Sequence, residues 1–234
     1  MTEQPVAIVT ASGQGIGAAI ARELHARGWR LALMSRSENA ENLANELGAV
    51  GLVGSVTDPD ALAEVVACAM DRYGRIDGVV NNTGHPPKGP LLDLTDDDWH
   101  AGLDMVVLNV VRMTRLVCPI MQEQGGGTFV NVSTFAAFEP DPLFPISSAL
   151  RAGLAGFTKL FSDRYAEQNI RMNNVLPGFI DNMPVTDMKL ERTPMRRLGR
   201  VEEIAKTVAF LLSSDSGFIT GQNLRADGGL TRSI

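Results

Sequence analysis

Thr10-Ala11-Ser12-Gly13-Gln14-Gly15-Ile16-Gly17 is the stretch on which the reading of this chain turns. It follows a β-branched run, Val6–Thr10, and opens a helical pattern near 16–28, so it reads as a turn from strand to helix. The glycines let the backbone bend sharply and approach a pyrophosphate at the helix N-terminus. A lone glycine triplet would be weak evidence, but here the strand before it and the helix after it agree with the pattern of the whole chain.

Outward from that turn, short runs of near-continuous apolar character recur at Val6–Thr10, Leu31–Ser35, Val50–Gly54, Gly78–Asn81, Thr128–Ser133 and Met172–Leu176. Such runs suit strands buried on both faces. Helical patterns near 16–28, 38–47, 59–73, 97–124, 148–168 and 201–213 alternate with them, which predicts successive βαβ crossovers. The expected fold is α/β: a doubly wound, Rossmann-type three-layer sandwich with a mostly parallel sheet, forming one domain over 1–234. Ligands in such sheets bind outside the carboxyl ends of the strands. The stretch 178–200, rich in Pro, Met and charge, interrupts the pattern after the sixth strand and reads as a lid within that domain, the alternative being a surface excursion without function.

Composition excludes several classes. The chain has 234 residues, 44% of them hydrophobic, enough for one buried core. A net charge of −6 offers no field for nucleic acid or an anionic membrane. No apolar run is long enough to span a bilayer, and the opening MTEQPVAIVT enters a strand pattern too early for a signal peptide. Cys68 and Cys118 have neither metal-ligand nor disulfide-framework spacing and read as small buried apolar residues, so no metal site is expected and a reducing cytoplasm fits.

The chain resembles the short-chain dehydrogenase/reductase family over nearly its whole length. The glycine turn carries the resemblance together with Asn81-Asn82-Thr83-Gly84 after the fourth strand, Leu176-Pro177-Gly178 after the sixth, and Gly221-Gln222 followed by Asp227-Gly228-Gly229. Ala11 stands in place of the family's first loop glycine, and Thr83 in place of an alanine. The resemblance implies a nicotinamide dinucleotide held by Thr10, Ser12, Gly13, Gln14, Gly15, Ile16 and Gly17. Ser55 and Val56 would take the adenine, Asn82 and Gly84 the adenosine side, and Pro177, Gly178, Ile180 and Asn182 the nicotinamide end. The second strand ends in Ser35-Arg36, where an acidic side chain would favour the unphosphorylated cofactor. A guanidinium can fork onto a 2′-phosphate, so NADP(H) is expected over NAD(H). The alternative is that Arg36 is a solvated surface arginine.

The stretches MQEQGGGTFVNVS and AGLAGFTK match the family without a gap between them and set the register for its catalytic tetrad. Val106 then stands for the asparagine, Thr134 for the serine, Ser147 for the tyrosine and Arg151 for the lysine. All four have changed, yet the four-residue spacing should still place residues 147 and 151 one helical turn apart. A serine hydroxyl is a far weaker acid than a phenol, and arginine does not relay a proton as a neutral group would. Tyr73 and Tyr165 lie on helices away from the strand ends. His85, at the carboxyl end of the fourth strand, is the candidate substitute acid or else a hydrogen-bonding pocket residue. Thr134 is expected to donate to a substrate oxygen and Arg151 also to bind ribose, while Glu139 and Asp141 read as solvated loop carboxylates.

Three functions compete at this point. One is an NADP(H)-dependent oxidoreductase of small carbonyls or alcohols with Thr134, Ser147, Arg151 and His85 in an altered site. Another is an NADP(H)-binding sensor or scaffold without turnover. The third is a cofactor-free lyase similar to halohydrin dehalogenases, which Arg151-Ala152-Gly153 resembles, although those enzymes keep the tyrosine and give up the nucleotide loop. Apolar stripes on the helices at 97–124 and 148–168, among them Leu150, Leu154, Phe157 and Phe161, together with the family resemblance, predict a homodimer or homotetramer.

Overall fold

The computed structural model describes residues 4–233; Met1–Glu3 and Ile234, the ends of the expected 1–234 domain and part of the leader reading, lie outside them. Seven strands form one sheet: β1 (Val6–Thr10), β2 (Arg30–Ser35), β3 (Val50–Val53), β4 (Gly78–Asn81), β5 (Gly127–Val132), β6 (Ile170–Pro177) and β7 (Asn223–Ala226). Their order is β3-β2-β1-β4-β5-β6-β7, with every neighbouring pair parallel. The fold class expected from the sequence holds; the sheet is parallel throughout and carries a seventh strand beyond the six apolar runs. Strand order reverses between β1 and β4, so the loops leaving those two strands diverge and open a crevice.

The apolar strands are buried on both sides because helices cover both faces. On one face α1 (Gly15–Ala26), α2 (Asn39–Leu47) and α8 (Val201–Leu212) place Ile20, Leu24, Leu43, Ile204 and Val208 against Val9, Leu33, Val130 and Val175. On the other, α3 (Pro59–Tyr73), α5 (Asn109–Glu123) and α6 (Pro145–Tyr165) pack Leu62, Val65, Met113, Val117, Leu154 and Phe161 on Ile8, Val79, Phe129 and Met172. The helix expected at 97–124 is in fact two. A capping box between Thr95 and Asp98 starts α4 (Asp96–Leu103), and a π-helical turn, Asp104–Leu108, joins it to α5. The helix expected at 148–168 begins earlier, at Pro145, where the ring's fixed φ suits the first helical position and its missing N–H costs nothing. Within 178–200 a short helix, α7 (Asp187–Arg192), is set off by Thr186, whose hydroxyl accepts from Lys189 N–H.

One polar feature runs through the apolar sheet. Asn81, Asn131, Asn174 and Asn223 occupy paired register positions on β4, β5, β6 and β7. Their amides join edge to edge: Asn81 Nδ2 donates to Asn131 Oδ1 (2.8 Å), Asn131 Nδ2 to Asn174 Oδ1 (2.8 Å) and Asn174 Nδ2 to Asn223 Oδ1 (2.7 Å). Thr158 of α6 donates to Asn174 Oδ1 at 3.0 Å and accepts from Asn131 Nδ2 at 3.3 Å. Buried amides are tolerable when their bonds are made, and this ladder pins α6 in register on the sheet. Thr158 lies two helical turns beyond Arg151, so the pin also aims the N-terminal turns of α6. Leu154 and Phe161 are buried against the sheet and Phe157 and Leu150 are half-buried, whereas Leu160 is exposed. Among the described residues no helix is long and apolar enough to cross a membrane.

Candidate functional site

At the reversal of strand order, the turn after β1 is shaped by close backbone approach. A Cβ at Gly17 would sit 2.2 Å from the Ala11 carbonyl oxygen and 2.8 Å from Asn82 Nδ2, so no side chain fits there. A Cβ at Gly13 would meet Ser35 Oγ at 2.7 Å, and Gly15 has a φ of +54° with Asn182 Nδ2 lying 3.2 Å from its would-be Cβ. Asn182, across the cleft in sequence, therefore lies against the glycine turn. Gln14 caps α1 in extended backbone with no side-chain acceptor, so the orphan first-turn N–H groups of this helix are left for a ligand. Ala11 has a φ of +46°, the left-handed region in which an L side chain is strained and glycine is not.

The other nucleotide candidates fall around this turn in unequal ways. Thr10 Oγ1 donates to Asn82 O at 2.7 Å and accepts Asn82 N–H at 2.9 Å, while Asn82 Nδ2 donates to Ala11 O at 3.2 Å; both side chains brace β1 against β4. Ser12 is buried with its hydroxyl turned to Met34 O (3.3 Å). Ser35 donates to Ser37 O at 2.8 Å, and Arg36 beside it is exposed at the end of β2. Ser55 shares a hydrogen bond with Thr57 Oγ1 (2.8 Å), and Val56 is buried behind it. Ile16 is half-buried and Gly84 exposed. On the far wall Pro177 ends β6, and a Cβ on Gly178 would lie 2.8 Å from Asp227 Cα, so the C-terminal Asp-Gly-Gly segment backs this turn. Ile180 pairs with Gly199 in a bridge that closes the neck of the 181–199 excursion.

At the carboxyl end of β5 the structure brings Ser147 and Arg151 together. Ser147 lies in the first turn of α6 and accepts from Arg151 Nε at 3.3 Å; Arg151 also donates through Nη1 to Val132 O at 2.6 Å. Arg151 is only 6% exposed, and burial pushes its guanidinium down to about 10. Thr134, half-buried at the start of the 3₁₀ turn Phe135–Ala137, accepts from Ala136 N–H. His85 stands exposed on the loop after β4, its imidazole held below the usual histidine range by partial desolvation first and then by the Lys88 and Arg151 charges. Val106 is buried in the π-helical turn. Tyr73 donates to Leu31 O at the opposite edge of the sheet, and Tyr165 stacks on Phe161 at the far end of α6, so neither phenol reaches this cluster.

The solvated reading of the two loop carboxylates needs correction. Asp141 is buried, its Oδ2 lying 2.8 Å from Arg192 Nη2 of α7, and its Oδ1 accepts Leu143 N–H at 2.9 Å. Arg192 also covers the rings of Phe135 and Phe179, which with Leu198 and Leu230 form a small core under the 181–199 excursion. Glu139 Oε1 accepts the backbone N–H groups of Arg232 and Ser233, holding the C-terminal segment on the same loop. Sequence reasoning passed over the asparagine ladder, Lys88 and the Asp141–Arg192 pair. A signal existed for the first alone: asparagines inside runs that otherwise read as apolar core.

In doubly wound sheets ligands bind at such a reversal of strand order, where this chain sets a glycine cradle beside a polar cluster at the neighbouring strand end. A family model described as enoyl-(acyl carrier protein) reductase matches residues 10–231. The chain belongs to the short-chain dehydrogenase/reductase family of oxidoreductases. It is 35% identical over 244 residues to 3-oxoacyl-(acyl-carrier-protein) reductase FabG of Thermotoga maritima, covering 97% of this chain and 98% of that protein. It is 37% identical over 244 residues to dehydrogenase/reductase SDR family member 4 of Homo sapiens, covering 96% and 86% respectively. Among solved structures it is similar to L-sorbose reductase from Gluconobacter frateurii complexed with NADPH and L-sorbose, with a TM-score of 0.90, 27% identity, and 99% and 98% of the two chains covered.

Proposed function

We propose that this chain is an NADP(H)-dependent oxidoreductase of small carbonyl compounds or alcohols, working through an altered site in which Ser147 and Arg151 take the places of the family's tyrosine and lysine. The observation that carries the reading is the direct Arg151–Ser147 hydrogen bond at the strand end next to a glycine cradle that admits no Cβ at Gly17. The dinucleotide, when bound, supplies or accepts the hydride. This chain's residues do the rest. The first turn of α1 faces the pyrophosphate, and Arg36, following Ser35 rather than an acidic residue at the end of β2, answers a 2′-phosphate. The L-sorbose reductase complexed with NADPH supports the same cofactor and a small polar carbonyl substrate.

In reduction, Thr134 and Ser147 hydroxyls hold the carbonyl oxygen, and Arg151 behind Ser147 stabilises the negative charge that gathers there. The proton comes from solvent through Ser147 or from His85, since no phenol stands near. A positioned acid is worth about 10²–10⁴ in rate, so turnover slower than that of a tyrosine enzyme follows. The excursion 178–200 acts as the lid, latched by Arg192 on Asp141. Copies associate as a homodimer or homotetramer through the helices over 97–124 and 148–168, and the enzyme works in the cytoplasm.

Titration with NADPH and then NADH, followed by nicotinamide fluorescence, tests the cofactor reading. We expect tighter binding of NADPH, and a loss of about tenfold for NADPH alone in Arg36→Ala. Equal affinities that Arg36→Ala leaves unchanged overturn the NADP(H) preference. Tight NADPH binding with no oxidation by any carbonyl compound supports instead a nucleotide sensor, the reading that the lack of a phenol favours.

A further inference from the structure

Three nitrogen side chains share the catalytic end of the cleft we propose, and among the described residues no carboxylate answers them. Arg151 is buried, yet its bonded acceptors, Val132 O and Ser147 Oγ, are both neutral. Its second Nη makes no hydrogen bond among the described residues. Lys88, on the loop after β4, is exposed and sets its Nζ 4.9 Å from the ring centroid of Phe144, the residue that precedes α6. It too has no acidic partner among the described residues. His85 stands three residues before Lys88 in the chain and lies within the field of both charges. The two nearby loop carboxylates are already engaged, Asp141 by Arg192 and Glu139 by the backbone of 232–233.

A guanidinium taken out of water without a counter-ion is strongly disfavoured, and neutral acceptors repay only part of that loss. The oxidised nicotinamide carries a positive charge of its own, so the reacting end of the cofactor deepens the imbalance. An anionic group on the substrate supplies a compensating charge at this end of the cleft. Resting on the oxidoreductase reading above, we propose that the substrate is an anion, an oxo acid or the hydroxy acid made from it, whose carboxylate lies between Lys88 and Arg151 while its carbonyl faces Thr134 and Ser147. In the reduction the carbonyl carbon gains a hydride from reduced nicotinamide, the C=O π pair moves to oxygen, and that oxygen takes a proton from water by way of Ser147. The carboxylate is unchanged, and a net proton is consumed from solvent.

The test is calorimetric binding of short oxo acids, each against its own methyl ester, to the chain loaded with oxidised NADP, which cannot reduce them, and to its Lys88→Gln variant. Lys88 is exposed, so the variant is expected to fold, which a thermal melt checks. The expected result is at least one acid that binds about tenfold or more tighter than its ester, an advantage reduced about tenfold by Lys88→Gln while ester binding stays the same. If no acid outbinds its ester, or if Lys88→Gln weakens acid and ester alike or neither of them, the proposal is overturned. Should oxidised NADP itself fail to bind, the cofactor reading falls; the acid–ester contrast on the cofactor-free chain then still decides the proposal.

Discussion

In the site we propose, the nucleotide end of the cleft is shaped by backbone and the catalytic end by side chains. Around β1 and α1, what matters is where a Cβ cannot go: Gly17 against the Ala11 carbonyl, Gly13 against Ser35 and Asn39, and Gly15 in left-handed backbone under Asn182. At the end of β5, no glycine defines the chemistry. Arg151 and Ser147 are presented by the long helix α6, Thr134 by the turn after β5 and His85 by the loop after β4, each of which tolerates a change of side chain at its tip. A site built from backbone exclusion keeps its ligand class, whereas a site built from presented side chains can be rewritten on the same frame.

The largest effect expected follows from Gly17→Ala. A methyl group 2.2 Å from a carbonyl oxygen forces β1, α1 and Asn82 apart, so we expect a stability loss of about 2–4 kcal/mol and NADPH binding weakened about 100-fold or more, read by urea unfolding and fluorescence titration. Retained binding would break the comparison, because the cradle would then not depend on exclusion. Next comes Asn131→Leu, which removes the central rung and leaves the Asn81 and Asn174 amides short of a partner. Unsatisfied buried amides cost about 1–3 kcal/mol each, and an overall loss of about 2–4 kcal/mol is expected, with turnover falling more than NADPH affinity as α6 loses its pin. Equal losses in the two would show the ladder to be general scaffolding. The smallest effect is a gain: Ala11→Gly relieves a left-handed alanine and should raise stability by up to about 1 kcal/mol, net of glycine's greater unfolded-state entropy.

The same division explains how much could be read without coordinates. β1, β2, β4 and β5 were legible because buried parallel strands are continuous apolar runs, and the turn at 10–17 because glycine spacing reports backbone geometry. β7 was not: Asn223–Ala226 is a short edge strand, half-exposed and carrying Arg225. α7, six residues in a Pro- and Met-rich stretch, was too short for a helical period to register, and the π-helical turn before α5 leaves the apolar pattern on both sides intact. In the site, the Ser147–Arg151 spacing follows from the helix. The Asp141–Arg192 pair and the approach of Lys88 to Phe144 join segments distant in sequence, and nothing local to either partner reports such a meeting.

The central claim is that a serine and an arginine on a family frame still support hydride transfer. Single-turnover oxidation of bound NADPH by a panel of carbonyl compounds, followed by nicotinamide absorbance in the wild type and in Arg151→Met, tests it most directly. We predict measurable oxidation by the wild type with at least one compound, reduced about 10²–10³-fold in Arg151→Met while NADPH remains bound. Bound NADPH that no compound oxidises, or a rate that Arg151→Met leaves unchanged, would contradict the account.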